Sequence, residues 1–543
     1  MPENFRSRLI VAVRAAAIRT RNRPAFLALY RAVYRGALAL FSAAFRLSFQ
    51  KHGALYLRRG MAGRDWLPGI SDIDLLAVLD GGAQAESGAA LKLWRLHQGF
   101  KRVFPFFGEI QIANPLEIGG YVREGGWRAR EMPRWKTLRG KALEIALPAA
   151  RNSELGLFHL QEALGAYLSL AQTYFGSAGE KEPPEFGFKV SKFFTDVFRH
   201  GQAAAEGSGE IPTRREYLAL AGSRIAAEWI KILRRPEAIG RNEALQLLLA
   251  AMAFADEACL NHFSPLKSRR RPLESPNKSE WYDVAGSPDP NFALWSRRMR
   301  TLAALHLPGG CGFFMDNLFR WFVVLDRPPA LEQFKILSHR LDRWHLRENA
   351  FSAPGWIFTY NILQGLIYSP FLDSPFLAFG LGPTGSPERM WLLKHSRKRQ
   401  IWSQYYRLQW NIDTSRLFSP DQAEMETLAR QTAAALNLSF RALALDPAAG
   451  HNAYRIFFLL SRVLSLRLYL DEGSPIDAQD ADSVLDCYRI RFPASEPWMT
   501  RLESQWLGRD ESEINAGPPE AFFRAHWRLF QDAGMAFLDK MSR

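Results

Sequence analysis

The chain has 543 residues, 47% of them apolar and 13% aromatic, which excludes a disordered protein and implies two to three domains. It carries 70 Lys and Arg against 55 Asp and Glu, a formal net charge of +15, so polyanionic partners are expected: nucleotides, nucleic acid or an anionic membrane surface. Three scattered cysteines, Cys259, Cys311 and Cys487, exclude a disulfide framework and a Cys-rich zinc site, and they fit a reducing, cytoplasmic setting.

Residues 5–50 read as two basic helices, with Arg14, Arg19, Arg21, Arg23, Arg31, Arg35 and Arg46 interleaved with Ala, Leu, Phe and Val. Asn22-Arg23-Pro24 marks the break between them. The uncharged run from Gly36 to Phe45 is about half of what a bilayer needs, so no membrane span is expected. The absence of acids past Glu3 suits a transit peptide or a membrane-surface helix. The preferred reading packs both helices on the next domain with their Arg side in solvent.

The stretch that carries chemistry is 54–80. A turn at Pro68-Gly69 leads into Ser71-Asp72-Ile73-Asp74-Leu75, and an apolar run to Leu79 reads as a buried strand. Alternation along a strand puts Asp72 and Asp74 on one face. Two adjacent carboxylates repel, and a divalent cation relieves that repulsion; hard oxygen ligands suit Mg2+. A helix over Ala89–Val103 and a second strand over 106–113 follow, and that strand offers a third acid, Glu109. Strand, helix, strand with acids at Asp72, Asp74 and Glu109 is an arrangement that suits two-metal phosphoryl transfer.

The segment Pro68-Gly69-x-Ser71-Asp72-Ile73-Asp74-Leu75 resembles the nucleotidyltransferase superfamily, which includes DNA polymerase beta and the bacterial adenylyltransferases. The resemblance covers roughly residues 50–145, about a fifth of the chain. It implies two Mg2+ ions held by Asp72, Asp74 and Glu109, and a nucleoside triphosphate as substrate, with ATP as the leading nucleotide. It also implies a triphosphate-binding turn. The family's Gly-Ser pair falls on Arg59-Gly60 without gaps, or on Gly60-Met61 with one deletion, so its serine is missing here. Backbone N–H groups around Gly60, helped by Arg58, Arg59 or Arg64 and by Ser71, would then hold the phosphates. The family's cleft-closing helical bundle makes Lys189 and Lys192 further candidates for the triphosphate.

Downstream, Trp127-Arg128-Ala129-Arg130 and Arg134–Lys141 mix bases with tryptophan. They suit phosphate holding and purine stacking, and equally an ordinary amphipathic connection. Segments 153–175, 186–203, 213–234 and 241–262 show helical spacing. Five prolines among polar residues mark 264–291 as a linker. Residues 292–543 read as a helical domain, with core helices over Phe313–Leu325 and Trp356–Tyr368, a break at 370–388, and helices at 421–441, 451–471, 478–489 and 519–539. Arg340 and His345 have a ribonuclease-like spacing that is too short to carry weight. The basic run Lys394–Arg399 precedes an aromatic-rich helix and reads as a solvated helix start.

The expected fold class is α+β: basic helices over 1–50, a small mixed-sheet nucleotidyltransferase domain over 51–150, a helical bundle over 151–263, the linker, and the C-terminal helical domain. The expected activity moves a nucleoside monophosphate to an acceptor that the sequence leaves open. Two alternatives stand beside it: a catalytically inactive binding or assembly module of the same fold, and a nucleic-acid-binding protein in which the acids are incidental.

Overall fold

A computed structural model describes residues 3–49, 53–62, 65–80, 83–115, 118–119, 129–141, 143, 152–176, 182–207, 211–220, 227–267, 310–315, 321–325, 327–348 and 355–359, with isolated positions between 294 and 306, at 361, 362 and 365, and between 486 and 496. The chain divides into two compact units, Met1–Ala149 with Glu424–Arg543, and Ala150–Ala423.

In the first unit, α1 (Glu3–Thr20) and α2 (Pro24–Phe49) flank the break at Asn22-Arg23-Pro24. Pro24 opens α2, where its missing N–H costs nothing. Then come β1 (Gly53–Arg58), α3 (Arg59–Ala62), β2 (Ile73–Leu79), α4 (Ala83–Val103), β3 (Phe107–Ala113) and β4 (Lys136–Arg139). The sheet order is β3-β2-β1-β4, with β2 parallel to β3 and antiparallel to β1, and β1 antiparallel to β4. A small mixed sheet among helices is thus present.

Pairing fixes two faces. Leu55, Leu57, Leu75, Ala77, Phe107, Ile110 and Ile112 share one, and all are buried. Helices α2 and α4 cover it. Phe41 of α2 sits edge-on to Phe100 of α4, with centroids 5.1 Å apart, and packs against Phe107 at 5.4 Å. His97 of α4 lies inside this aromatic layer, edge-on to Phe107 and 1% exposed. The opposite face carries Tyr56, Leu76, Val78 and Ala113 under Ile118, Met132 and Trp135.

The second unit is built on α5 (Asn152–Gly176), α6 (Phe186–Glu206) and α9 (Arg241–Lys267), with the short helices α7 (Arg214–Leu220) and α8 (Ala227–Leu233) between α6 and α9. Helix α6 stops where Gly207 turns left-handed and its N–H bonds back to Ala203 O. Asp196 of α6 ties this region together. It accepts from Arg199 Nε at 2.8 Å and from Arg214 Nε and Nη2 at 2.8 and 2.7 Å. Burial alone would raise its carboxyl, but the two guanidiniums outweigh it and hold it well below the usual carboxylate range.

The segments expected as core helices carry strands over 313–315 and 321–325 in the first and over 356–359 in the second, where positions 361, 362 and 365 are helical. β5 (Gly310–Met315), β6 (Trp321–Leu325) and β7 (Gly355–Thr359) form a second sheet beside α10 (Leu331–Glu348). Their runs are short and rich in aromatic and β-branched residues, and periodicity alone does not separate such a run from a buried helix. Tyr167 of α5 donates to Ile357 O and so anchors β7. Arg340 lies on α10, whereas Lys394–Arg399, the break at 370–388 and the four tail helices lie outside the described residues, as does most of the 264–291 linker. No described helix is long and apolar enough to cross a membrane.

Burial, with a smaller contribution from Lys101, pulls His97 down to about 3. The folded state therefore keeps His97 neutral while the unfolded chain takes up a proton below about pH 6.5, so stability falls as pH drops from there toward 3, by up to ~1.4 kcal/mol per pH unit. His97→Leu removes that slope. Urea unfolding should show the variant gaining about 2 kcal/mol on the parent between pH 7.5 and pH 5. An unchanged difference between the two pH values would mean that His97 is protonated in the folded state.

Candidate functional site

The polar end of the second sheet face gathers the acids. Asp72 ends the turn before β2, and Asp74 is the second residue of the strand. Asp74 is opposite Arg58, the last residue of β1, so the two share a face. Glu109 joins them through an irregularity in β3. Ile73 pairs with Phe107 but Leu75 pairs with Ile110, so β3 carries one extra residue opposite Asp74. A β-bulge of this kind re-aims a side chain. Phe107 and Glu109 would face the same way in a regular strand. With the bulge, Phe107 stays in the aromatic layer and Glu109 turns to the face of Asp74.

Gly108 makes the bulge sterically possible. A methyl group there would lie 2.9 Å from Asp72 Cβ and inside the contact distance of Asp74 Oδ1. The bulged backbone also supplies a bond, as Glu109 N–H donates to Asp74 Oδ1 at 3.3 Å.

Each acid has an arginine. Arg14 of α1 lies 3.5 Å from Asp72 Oδ1. Arg59, first residue of α3, lies 3.9 Å from Asp74 Oδ2 and 3.3 Å from Glu109 Oε1. Arg58 is fully buried, lies 3.7 Å from Glu109 Oε1, donates to Gln111 Oε1, and has its guanidinium 5.2 Å from the Trp135 ring centre. Asp74 is the most enclosed acid, with 15% of its side chain exposed. Burial raises its pKa above the usual carboxylate range, Arg59 opposes the rise, and Glu109 adds to it.

The turn region is close to this cluster. Tyr34 of α2 donates to Ser71 O at 3.2 Å, and burial pushes its hydroxyl up to about 12, so it stays a donor at any working pH. Gly69, at φ +77°, lets the turn pass under α1, where Arg14 O, Ala17 and Ile18 lie within contact distance of it. Ser71 Oγ accepts from Leu67 N–H at 2.9 Å, and a methyl group at Gly60 would sit 3.6 Å from that oxygen. The Ser71 hydroxyl is thus the side-chain oxygen beside Gly60.

The structure brings together Asp72, Asp74, Glu109, Arg59, Gly60 and Ser71. Arg64 lies outside the described residues. Lys189 and Lys192 are on α6 of the second unit, Lys189 paired with Glu185 at 3.7 Å and Lys192 over the Phe193 ring at 5.3 Å. Of the tryptophans and bases expected to hold phosphate between 127 and 141, Trp135 lies beside Arg58, while Trp127 and Arg128 are outside the described residues. Sequence reading missed Arg14, whose role has no local signal, and Gly108, whose place just before an acid in a strand was one.

The donor set suits Mg2+, since it consists of hard carboxylate oxygens on one sheet face. Among the described residues, no group of three His, Cys, Asp or Glu side chains is drawn together as a metal cage. The Arg14 and Arg59 contacts, at 3.3–3.9 Å, are longer than charge-assisted hydrogen bonds, so a cation competes with loose ion pairs.

Gly108→Ala should destabilise the protein by ~1–3 kcal/mol, because the added methyl meets Asp72 and Asp74. In an Asp74→Ala background one of the clashing groups is gone, and the penalty measured by urea unfolding should shrink clearly. Equal penalties in both backgrounds would place the strain elsewhere.

No protein-family model, curated protein or solved structure matches this chain.

Proposed function

We propose that the first unit transfers a nucleoside monophosphate from a nucleoside triphosphate to a hydroxyl-bearing acceptor. The observation that supports this reading is the bulge at Gly108, which turns Glu109 to the face of Asp72 and Asp74. Asp72, Asp74 and Glu109 would hold Mg2+. When bound, Mg2+ supplies charge neutralisation on the phosphates. Arg59, once released from the acids, orients the phosphate tail, and the backbone at Gly60 and the Ser71 hydroxyl meet its outer oxygens. Glu109 accepts the proton of the acceptor hydroxyl as its oxygen bonds to the α-phosphorus and pyrophosphate leaves.

A second reading is a non-catalytic binding module of the same fold. Arg14, Arg58 and Arg59 favour it, since they already balance the three acids.

Calorimetric titration with a non-hydrolysable triphosphate separates the two readings. The first expects binding only with Mg2+, and it expects Met61→Ser to tighten binding about tenfold, the effect of one hydrogen bond to a charged group. Metal-independent binding, or none at all with Mg2+ present, rejects the transferase.

Asp74→Asn should lose activity and metal affinity yet keep or raise its thermal stability, because a buried charge beside Glu109 is removed while the Glu109 N–H keeps an acceptor. A variant that unfolds with unchanged metal affinity would make Asp74 a structural residue.

A further inference from the structure

The bulge that turns Glu109 toward Asp74 is held from both ends of a single peptide unit. Gly108 C=O and Glu109 N–H belong to that unit. The N–H donates to Asp74 Oδ1 of β2 at 3.3 Å, and the C=O accepts from Lys101 Nζ of α4 at 3.3 Å. A bulge disrupts the ladder locally, so its backbone groups need other partners. Here one side chain from the neighbouring strand and one from the preceding helix supply them. Gly108 has no side chain to brace the peptide plane, and backbone rotation is freest at glycine. The two side-chain bonds therefore set how that plane lies, and with it the direction in which Glu109 leaves the strand.

Lys101 is suited to this task. It stands in the last turn of α4, where the helix dipole favours a cation. The link from α4 to β3 is short. Phe104 N–H bonds to Phe100 O at 2.7 Å and Phe107 N–H to Phe104 O at 3.1 Å, so the reach from Lys101 to Gly108 is set locally. Arg14, Arg58 and Arg59 each face an acid of the cluster, whereas Lys101 forms no ion pair among the described residues. Its charge is thus available to the carbonyl. A charged donor on the C=O polarises the peptide and strengthens the N–H at its other end as a donor. We propose that Lys101 is a positioning residue for the acid cluster: acting through the Gly108–Glu109 peptide, it holds the Glu109 N–H on Asp74 and aims the Glu109 carboxylate at the face that Asp72 and Asp74 share. Its consequence for metal binding rests on the reading of that cluster as a Mg2+ site: losing Lys101 weakens Mg2+ binding. Electrostatics alone predicts the opposite sign, since removing one cation beside three carboxylates favours the entry of another.

The test compares the full chain with Lys101→Met, which keeps the aliphatic stem, and Lys101→Arg, which keeps a charged donor. The first measurement is residue-resolved hydrogen exchange without metal. Lys101→Met should speed exchange at the Glu109 amide about three- to tenfold, the effect of one weakened hydrogen bond, while the β2 amides keep their rates and Lys101→Arg matches the parent. An unchanged Glu109 amide overturns the proposal. So does acceleration spread equally over β2 and β3, which marks a lysine that only stabilises the fold. The second measurement is calorimetric titration with Mg2+ at about 0.15 M salt, where long-range charge effects are screened. Lys101→Met should weaken binding about tenfold, as loss of the partner behind a metal ligand typically does, and Lys101→Arg should bind like the parent. Equal or tighter binding in Lys101→Met overturns the proposal. A parent that binds no Mg2+, with the Glu109 amide still dependent on Lys101, rejects the metal site and leaves the positioning role standing.

Discussion

Three carboxylates at one end of one sheet face repel, and the first unit is arranged so that they do not have to. Near a protein surface, unit charges 4 Å apart interact by about 4 kcal/mol, a large part of the whole stability of a domain. The compensation comes from three separate elements: Arg14 from α1, Arg58 from the end of β1, and Arg59 from the start of α3. Two of these cations are solvent-accessible and loosely paired, while the third is buried between Gln111 and the Trp135 ring. The arrangement keeps the cluster neutral while leaving Asp72 and Glu109 open to solvent. A cation entering this cluster would have to displace Arg14 or Arg59 from the carboxylates, whereas an anion would have to displace the carboxylates from the arginines.

The parts of this cluster that follow local rules were legible in the sequence. Asp72 and Asp74 announce themselves, because an Asp-x-Asp leading into Leu-Leu-Ala-Val-Leu reads as the start of a buried strand. The α1–α2 break was legible from Pro24 for the same reason. Glu109 was found as an acid in a strand, but the direction in which it points depends on a bulge that alternation cannot foresee; Gly108 is its only trace. Arg14 lies far away in the chain and reaches Asp72 only because Gly69 lets the turn lie against α1. In the second unit, Trp-Phe-Val-Val-Leu at 321–325 fits a strand and a buried helix alike, and pairing with β5 and β7 decides the matter.

Both units rest on apolar cores, and they differ in what accompanies the core. The first depends on an aromatic layer, Phe41, His97, Phe100 and Phe107, that fills the space between the sheet and α2 and α4. The second buries polar ties within its helices and its small sheet. Asp196 with two arginines is one. Asp256 is another, accepting from Thr359 Oγ1 and from Asn361 Nδ2 beside β7. Ties of this kind add geometric specificity to an apolar core, because each satisfied donor fixes one arrangement of the elements that carry it.

One residue of the first unit stands in a conformation that its side chain disfavours. Arg59 has φ +53°, left-handed, at the junction of β1 and α3. A side chain there costs about 1–2 kcal/mol relative to glycine, and the next residue is a glycine. The backbone is therefore cocked at the point where its guanidinium meets Asp74 and Glu109. Stability and charge placement are in opposition at this site: glycine at position 59 would relax the junction and would leave two carboxylates without their shared cation.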